Sequence, residues 1–152
     1  ELTVNPLALQ LTDRPDPRNP NQALVSLQHW AAVALLFKAA GIAQLTEGAV
    51  HDPEVSRLRA SMVLAGDAAL GREAARVRVV LTDGSELAAD VRHCRGSAGR
   101  PLSDEDLSEK TRAQLLTAFA ADAAQRILAA CWRIEEYARA DALCALFVQP
   151  LG

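Results

Sequence analysis

From Trp30 to Phe37 the chain reads Trp-Ala-Ala-Val-Ala-Leu-Leu-Phe without one polar residue, and this stretch most constrains the fold. A helix that is apolar all round belongs in a core. The run is too short to span a bilayer, and Lys38 interrupts it. The spacing predicts a helix over Ser26–Ala40, capped by Ser26 and closed by Gly41. Its polar residues, Ser26, Gln28 and His29, gather at the entrance, where a helix end carries partial positive charge. On the wheel His29 lies above Val33, Leu36 and Ala40. Two roles are open to it. It is a core histidine bonded to a nearby backbone carbonyl, or it serves a site at a helix end pointing out of the core. The second role requires a partly exposed ring with one nitrogen free of protein partners.

A chain of 152 residues makes one domain, or one and a small appendage. Half of it is hydrophobic but only 4% aromatic, so the core is built from Ala, Leu and Val. A formal charge of −3 leaves no electrostatic footprint for nucleic acid or an anionic membrane. Cys94, Cys131 and Cys144 are odd in number and widely spaced, as in reduced thiols of a cytoplasmic protein. No His/Cys spacing resembles a zinc site, so no metal is expected. The chain opens on Glu1, without Met, directly into a strand-like Leu-Thr-Val, as a segment of a longer polypeptide would.

Leu2 and Val4 form a short strand. Asn5-Pro6 starts a helical turn to Leu11, Asn as cap and Pro as first residue. Asp13 to Asn21, with three prolines, reads as an irregular rigid loop. After Gly41 a short apolar turn, Ile42 to Leu45, precedes Asp52-Pro53-Glu54, which starts a helix with Val55 and Leu58 inward and its end near Ala60. Ser61 to Gly66 is a strand, and Arg76 to His93 a hairpin. A three-residue loop, Asp83 to Ser85, pairs Leu81 with Leu87, Val79 with Ala89 and Val77 with Val91. Gly84 is then left-handed in a type I turn with a bulge. Arg76, Arg78, Asp90 and Arg92 take the opposite face.

Leu102–Phe119 is a helix with a capping-box start and a buried stripe of Leu107, Leu115, Leu116 and Phe119. Asp122–Tyr137 is another, burying Ala124, Ile127, Leu128, Cys131 and Ile134. A short helix, Ala140–Phe147, closes the chain. The fold class is α+β: a small antiparallel sheet of about four strands with helices on one face.

Residue types alone reveal no reaction. The glycines never cluster as a phosphate loop. Asp52 with Glu54, and Asp104 with Glu105, sit at helix starts, where acids cap. The loop His93-Cys94-Arg95-Gly96-Ser97-Ala98-Gly99-Arg100-Pro101 sets an imidazole and two guanidiniums among glycines. That suits a carboxylate, because Arg offers a planar fork and glycines let backbone N–H groups approach. A solvent loop with two helpful glycines has the same composition.

Several stretches together resemble the MmgE/PrpD family. They are Leu11-Thr12-Asp13-Arg14-Pro15-Asp16-Pro17, Val25-Ser26-Leu27-Gln28-His29-Trp30 running on to Leu36, and Thr82-Asp83-Gly84. His93-x-Arg95-Gly96 and Pro101-Leu102-Ser103-Asp104-Glu105-Asp106-Leu107 with Lys110 complete the set. That family includes 2-methylcitrate dehydratase, cis-aconitate decarboxylase and an iminodisuccinate epimerase. The likeness covers nearly the whole chain in order; the ordered set, and no single motif, is what is specific.

The resemblance implies that residues 1–152 are the C-terminal, lid-like α+β domain of a longer protein. An N-terminal helical domain, absent here, would supply most catalytic groups, with the active site in the cleft between the domains. It implies no metal or cofactor, a homo-oligomer, and a small polycarboxylate substrate. His29 is the catalytic candidate; Ser26, Gln28, His93, Arg95 and Gly96 are the substrate-binding candidates. Two departures stand out. Leu11 replaces a tyrosine of decarboxylase-like members, and His29 replaces the tyrosine of a Ser-x-x-Tyr motif. The first disfavours a decarboxylase; the second leaves room for an isomerase or epimerase beside a dehydratase-like lyase. A stand-alone, non-catalytic binding or assembly module is the rival from another class.

Overall fold

The computed structural model describes residues 1–148. The segment Glu1–Pro101 and the segment from Leu102 onward are two compact units.

The first unit holds β1 (Leu2–Val4), α1 (Pro6–Thr12), α2 (Pro20–Leu24), α3 (Leu27–Phe37), α4 (Glu47–Val50), α5 (Pro53–Ser61), β2 (Leu64–Gly66), β3 (Ala75–Val80) and β4 (Glu86–Val91). A 3-10 turn, Ile42–Gln44, lies between α3 and α4. The fold is α+β, with a four-stranded sheet in the order β2-β1-β3-β4. The sheet is mixed, not antiparallel as expected, because β1 and β2 run parallel with Leu2 opposite Leu64. They are joined by the crossover α1 to α5, and a crossover, unlike a hairpin, returns the chain in the same direction. Leu2 and Val4 are buried. α1 lies against β2 at Gly66, where an added Cβ would stand 3.3 Å from the Leu9 side chain. The α3–α5 contact is the apolar core of this unit: Ala32, Val33 and Val55 are buried, with Trp30, Leu58 and Met62 packed around them.

Caps set most helix starts. The Asn5 side chain accepts from Leu7 N, that of Asn19 from Gln22 N, and that of Thr46 from Ala49 N. The Asp52 carboxylate accepts from both Glu54 N and Val55 N, so that acid is a cap. Two short helices interrupt stretches read as loop, α2 at Asn19-Pro20 and α4 after Thr46. Ser61 closes α5, and the expected strand from Ser61 begins only at Leu64.

The hairpin keeps its expected faces in a different register. Val79 pairs with Leu87, Val77 with Ala89 and Ala75 with Val91, two residues from the expected pairing. A two-residue slip leaves every side chain on its own face. Leu81 N donates to Ser85 O at 2.8 Å and Gly84 N to Leu81 O at 3.0 Å, so the loop is Thr82–Gly84. Its left-handed residue must come last in such a loop. Gly84, at φ 83°, therefore ends the loop and draws it back by one position. Ala at Gly84 is expected to cost about 1–2 kcal/mol, the left-handed penalty of an L-residue. No atom would crowd its Cβ within 4 Å. A urea melt of Gly84→Ala beside Gly84→Asn tests this, with Asn losing less. Across the other face Arg76 meets Asp67 and Asp90, and Arg78 meets Glu1 and Glu86. These exposed pairs contribute little stability.

The second unit holds α6 (Asp104–Leu115), α7 (Ala121–Cys131) and α8 (Ala140–Cys144), with 3-10 turns at Ile134–Glu136 and Ala145–Phe147. Ser103 and Asp106 form the expected capping box. The expected buried stripe is not there: α6 buries no residue, and Leu107 and Leu116 are 39% and 49% exposed. α7 buries Ala124, Ile127, Leu128 and Ala130. It ends at Cys131, not Tyr137, because Arg133 N turns to Ala130 O. Cys131 and Ile134 are consequently exposed. Phe119 and Phe147 meet edge to face at 6.3 Å. Among the described residues no helix is long and apolar enough to cross a membrane.

Candidate functional site

The sequence candidates fall into two clusters, both in the first unit. Ser26, Gln28 and His29 meet at the entrance of α3. His93, Arg95 and Gly96 lie in the loop after β4. No hydrogen bond joins Ser26, Gln28 or His29 to His93 among the described residues.

At the α3 entrance the Ser26 hydroxyl accepts from His29 N at 3.0 Å and donates to Arg14 O at 2.6 Å. Gln28 grips the same loop twice. Its Oε1 accepts from Arg14 N at 3.2 Å and its Nε2 donates to Asp13 Oδ1 at 2.6 Å. Ser26 and Gln28 thus stitch the Pro-rich loop down over the helix end. Both are buried, and Pro17 is buried with them.

His29 is enclosed. Its exposure is 0%, and both ring nitrogens are engaged: Nε2 lies 3.0 Å from Gln44 O and Nδ1 lies 3.4 Å from Arg59 Nη1. A carbonyl only accepts and a guanidinium only donates, so Nε2 carries the proton and Nδ1 the lone pair. Burial pushes the ring below the ordinary imidazole value. The bond to Gln44 O partly opposes that, and the Arg59 charge adds to it. The ring is therefore neutral.

Arg59, on α5, is 5% exposed. Nη1 also donates to Val50 O at 2.9 Å and Nη2 to Ser56 Oγ at 3.0 Å, while Nε has no partner among the described residues. No described carboxylate reaches it within salt-bridge distance. Burial lowers its pKa and the charge of Asp16 opposes this.

Of the two roles open to His29, the structure shows the core one, a buried ring bonded to the Gln44 carbonyl. The site role required the entrance of α3 to point out of the core, with a partly exposed ring and one nitrogen free, and that is not what the structure has. Instead the polar end of α3 is inside and the apolar end is outside, with Leu35, Leu36 and Phe37 at 38%, 38% and 43% exposure. The folded-back loop supplies the oxygens and amides that let polar side chains be buried. An apolar end needs no such partners. Gly41 does not close α3, because Lys38 ends it in a left-handed conformation at φ 55°. Gly41 instead begins the 3-10 turn, donating to Gln44 Oε1 at 3.0 Å.

In the second cluster His93 Nδ1 lies 3.3 Å from Glu73 Oε2. Ser97, then His93, hold the Glu73 carboxyl below the ordinary carboxylate range. The Ser97 hydroxyl is buried beside it without a partner in hydrogen-bonding geometry. Gly96, at φ 91°, donates to Arg100 O at 2.7 Å and turns the loop.

Sequence reasoning named neither Arg59 nor Glu73. The signal for Arg59 was available: it follows inward-facing Val55 by four residues and so shares its helix face. Glu73 carried none before the hairpin register was known.

A family model for the MmgE/PrpD C-terminal domain matches residues 1–134. The chain belongs to the MmgE/PrpD family. No curated protein matches it. The matched span of this MmgE/PrpD C-terminal domain takes in both clusters, the whole sheet, α6 and α7. It ends within the 3-10 turn that follows α7.

Proposed function

We propose that this chain is the C-terminal domain of a metal-independent lyase, 2-methylcitrate dehydratase-like, acting on a small polycarboxylate and inactive alone. Membership in the MmgE/PrpD family is the observation that carries this reading. Such chemistry removes a proton next to a carboxylate, which needs a positioned base and cationic or N–H contacts on the substrate.

On this reading the candidates divide by task. Ser26, Gln28 and His29 build the scaffold that fixes the Pro-rich loop, since an enclosed, doubly bonded ring meets no substrate. The loop holding His93, Arg95 and Gly96 is the substrate-facing part, because His93 is 56% exposed beside a glycine turn. A helical N-terminal domain would supply the remaining groups, and in the assembled homodimer it would cover the apolar end of α3.

The test compares this chain with the full reading frame that contains it, on 2-methylcitrate, citrate and iminodisuccinate in the presence of a chelator. Dehydration by the full protein alone is expected. Epimerisation without dehydration would make it an isomerase of the same family. Turnover by this chain by itself would overturn the domain reading, and a full protein inert on all three would favour a non-catalytic module.

A further inference from the structure

The β3–β4 ladder ends at the pair Ala75–Val91, and just beyond it the chain turns on both sides, at Glu73 and at His93. The side chains meet there, Nδ1 to Oε2 at 3.3 Å, at 56% and 43% exposure. An ionised carboxylate only accepts, so this contact requires the proton on Nδ1. Gly99 closes the ring from another side: a Cβ there would fall 2.5 Å from Nδ1. Nε2 is left without a protein partner among the described residues.

We propose that Glu73 is the positioning residue of His93, holding it as the Nδ1–H tautomer with Nε2 kept for the substrate. This rests on the polycarboxylate reading above. A proton leaving the carbon beside a substrate carboxylate would pass to Nε2, and its electron pair would remain on that carbon, delocalised into the carboxylate. Glu73 then faces the imidazolium so formed and stabilises it. The arrangement follows the base-and-orienter logic of nucleophile and proton-transfer sites, in which the third group sets tautomer and direction. Gly99 fits this role, because it lies against the ring and limits its rotation.

The test reads the tautomer directly. Long-range 15N–1H correlation spectra of this chain at pH 9 should show His93 with pyrrole-type Nδ1 and pyridine-type Nε2. In Glu73→Ala the ring should move toward the Nε2–H form that free imidazole side chains prefer. Gly99→Ala should do the same by displacing the ring. A wild-type ring already in the Nε2–H form, or one unchanged in both variants, overturns the positioning role. In the full protein, Glu73→Ala and His93→Gln should each lower kcat/KM on the polycarboxylate tenfold or more. The double variant should be no worse than His93→Gln, because Glu73 acts only through that ring. If the tautomer behaves as expected while both single variants keep full turnover, the pair stands and its part in polycarboxylate chemistry falls.

Discussion

Alanine in place of His29 is expected to destabilise this chain by about 3–5 kcal/mol, the range for emptying a fully buried large side chain. The ring has 0% exposure and sits between Gln44 O and Arg59 Nη1. Its removal leaves a cavity, the half-buried Gln44 carbonyl without this bond, and the buried Arg59 guanidinium short of a partner, the last costing about 1–3 kcal/mol when orphaned. Arg59 suffers more than Gln44, since its Nε already has no partner. His29→Gln should lose less, because its amide can still donate to the Gln44 carbonyl. Urea unfolding measures both, as a lower midpoint at unchanged slope. Stability unchanged to within 1 kcal/mol, with turnover of the full protein abolished, would instead return His29 to the substrate.

That outcome concerns the residue on which sequence and structure part most clearly, and the reason is local against non-local physics. Helix caps are local. Asn5-Pro6, Asp52-Pro53-Glu54 and Ser103 with Asp106 announce helices because a side-chain oxygen meets an amide two or three residues away. Asn19-Pro20 carries the same signal and starts α2, at the end of a stretch whose three prolines read as an irregular loop. Gly84 was legible as left-handed, but its place at the end of the loop sets the register, and the pleat hides a slip of two.

Burial is different, because it depends on which segments return to cover a face. The apolar run to Phe37 reads as core over its whole length, yet only its first half is covered. The leucine stripe of α6 has the right spacing, yet none of it is buried: Leu115 is half-covered and Leu107 and Leu116 are exposed. The polar entrance of α3 reads as a site because nothing in its own stretch could satisfy it. Its partners come from Asp13, Arg14, Gln44 and Arg59, on three other segments. The parallel pairing of β1 with β2 is likewise invisible in either strand. It follows from the whole helical crossover between them.

Stability should also fall with acid in a way that His29 controls. Its ordinary pKa is 6.5, the value the unfolded chain recovers, and burial, with the Arg59 charge, holds the folded ring lower. Between those two values the unfolded state binds a proton that the folded state refuses, so stability drops as pH falls through 6.5. The drop ends once the pH is below the folded value, where both states are protonated. One proton gives a slope of at most about 1.4 kcal/mol per pH unit. Burial sets the sign; the bond to Gln44 O opposes it, and the Arg59 guanidinium adds to it by opposing a second positive charge. His29→Gln has no proton to refuse, so its stability should be flat from pH 7 to 5.5 where the wild type declines. Arg59→Met removes the like charge but not the burial, and should retain most of the slope. Urea midpoints at half-unit pH steps decide it. Parallel curves for wild type and His29→Gln would mean that the folded ring takes up its proton as readily as the unfolded one, and that the entrance of α3 opens to water.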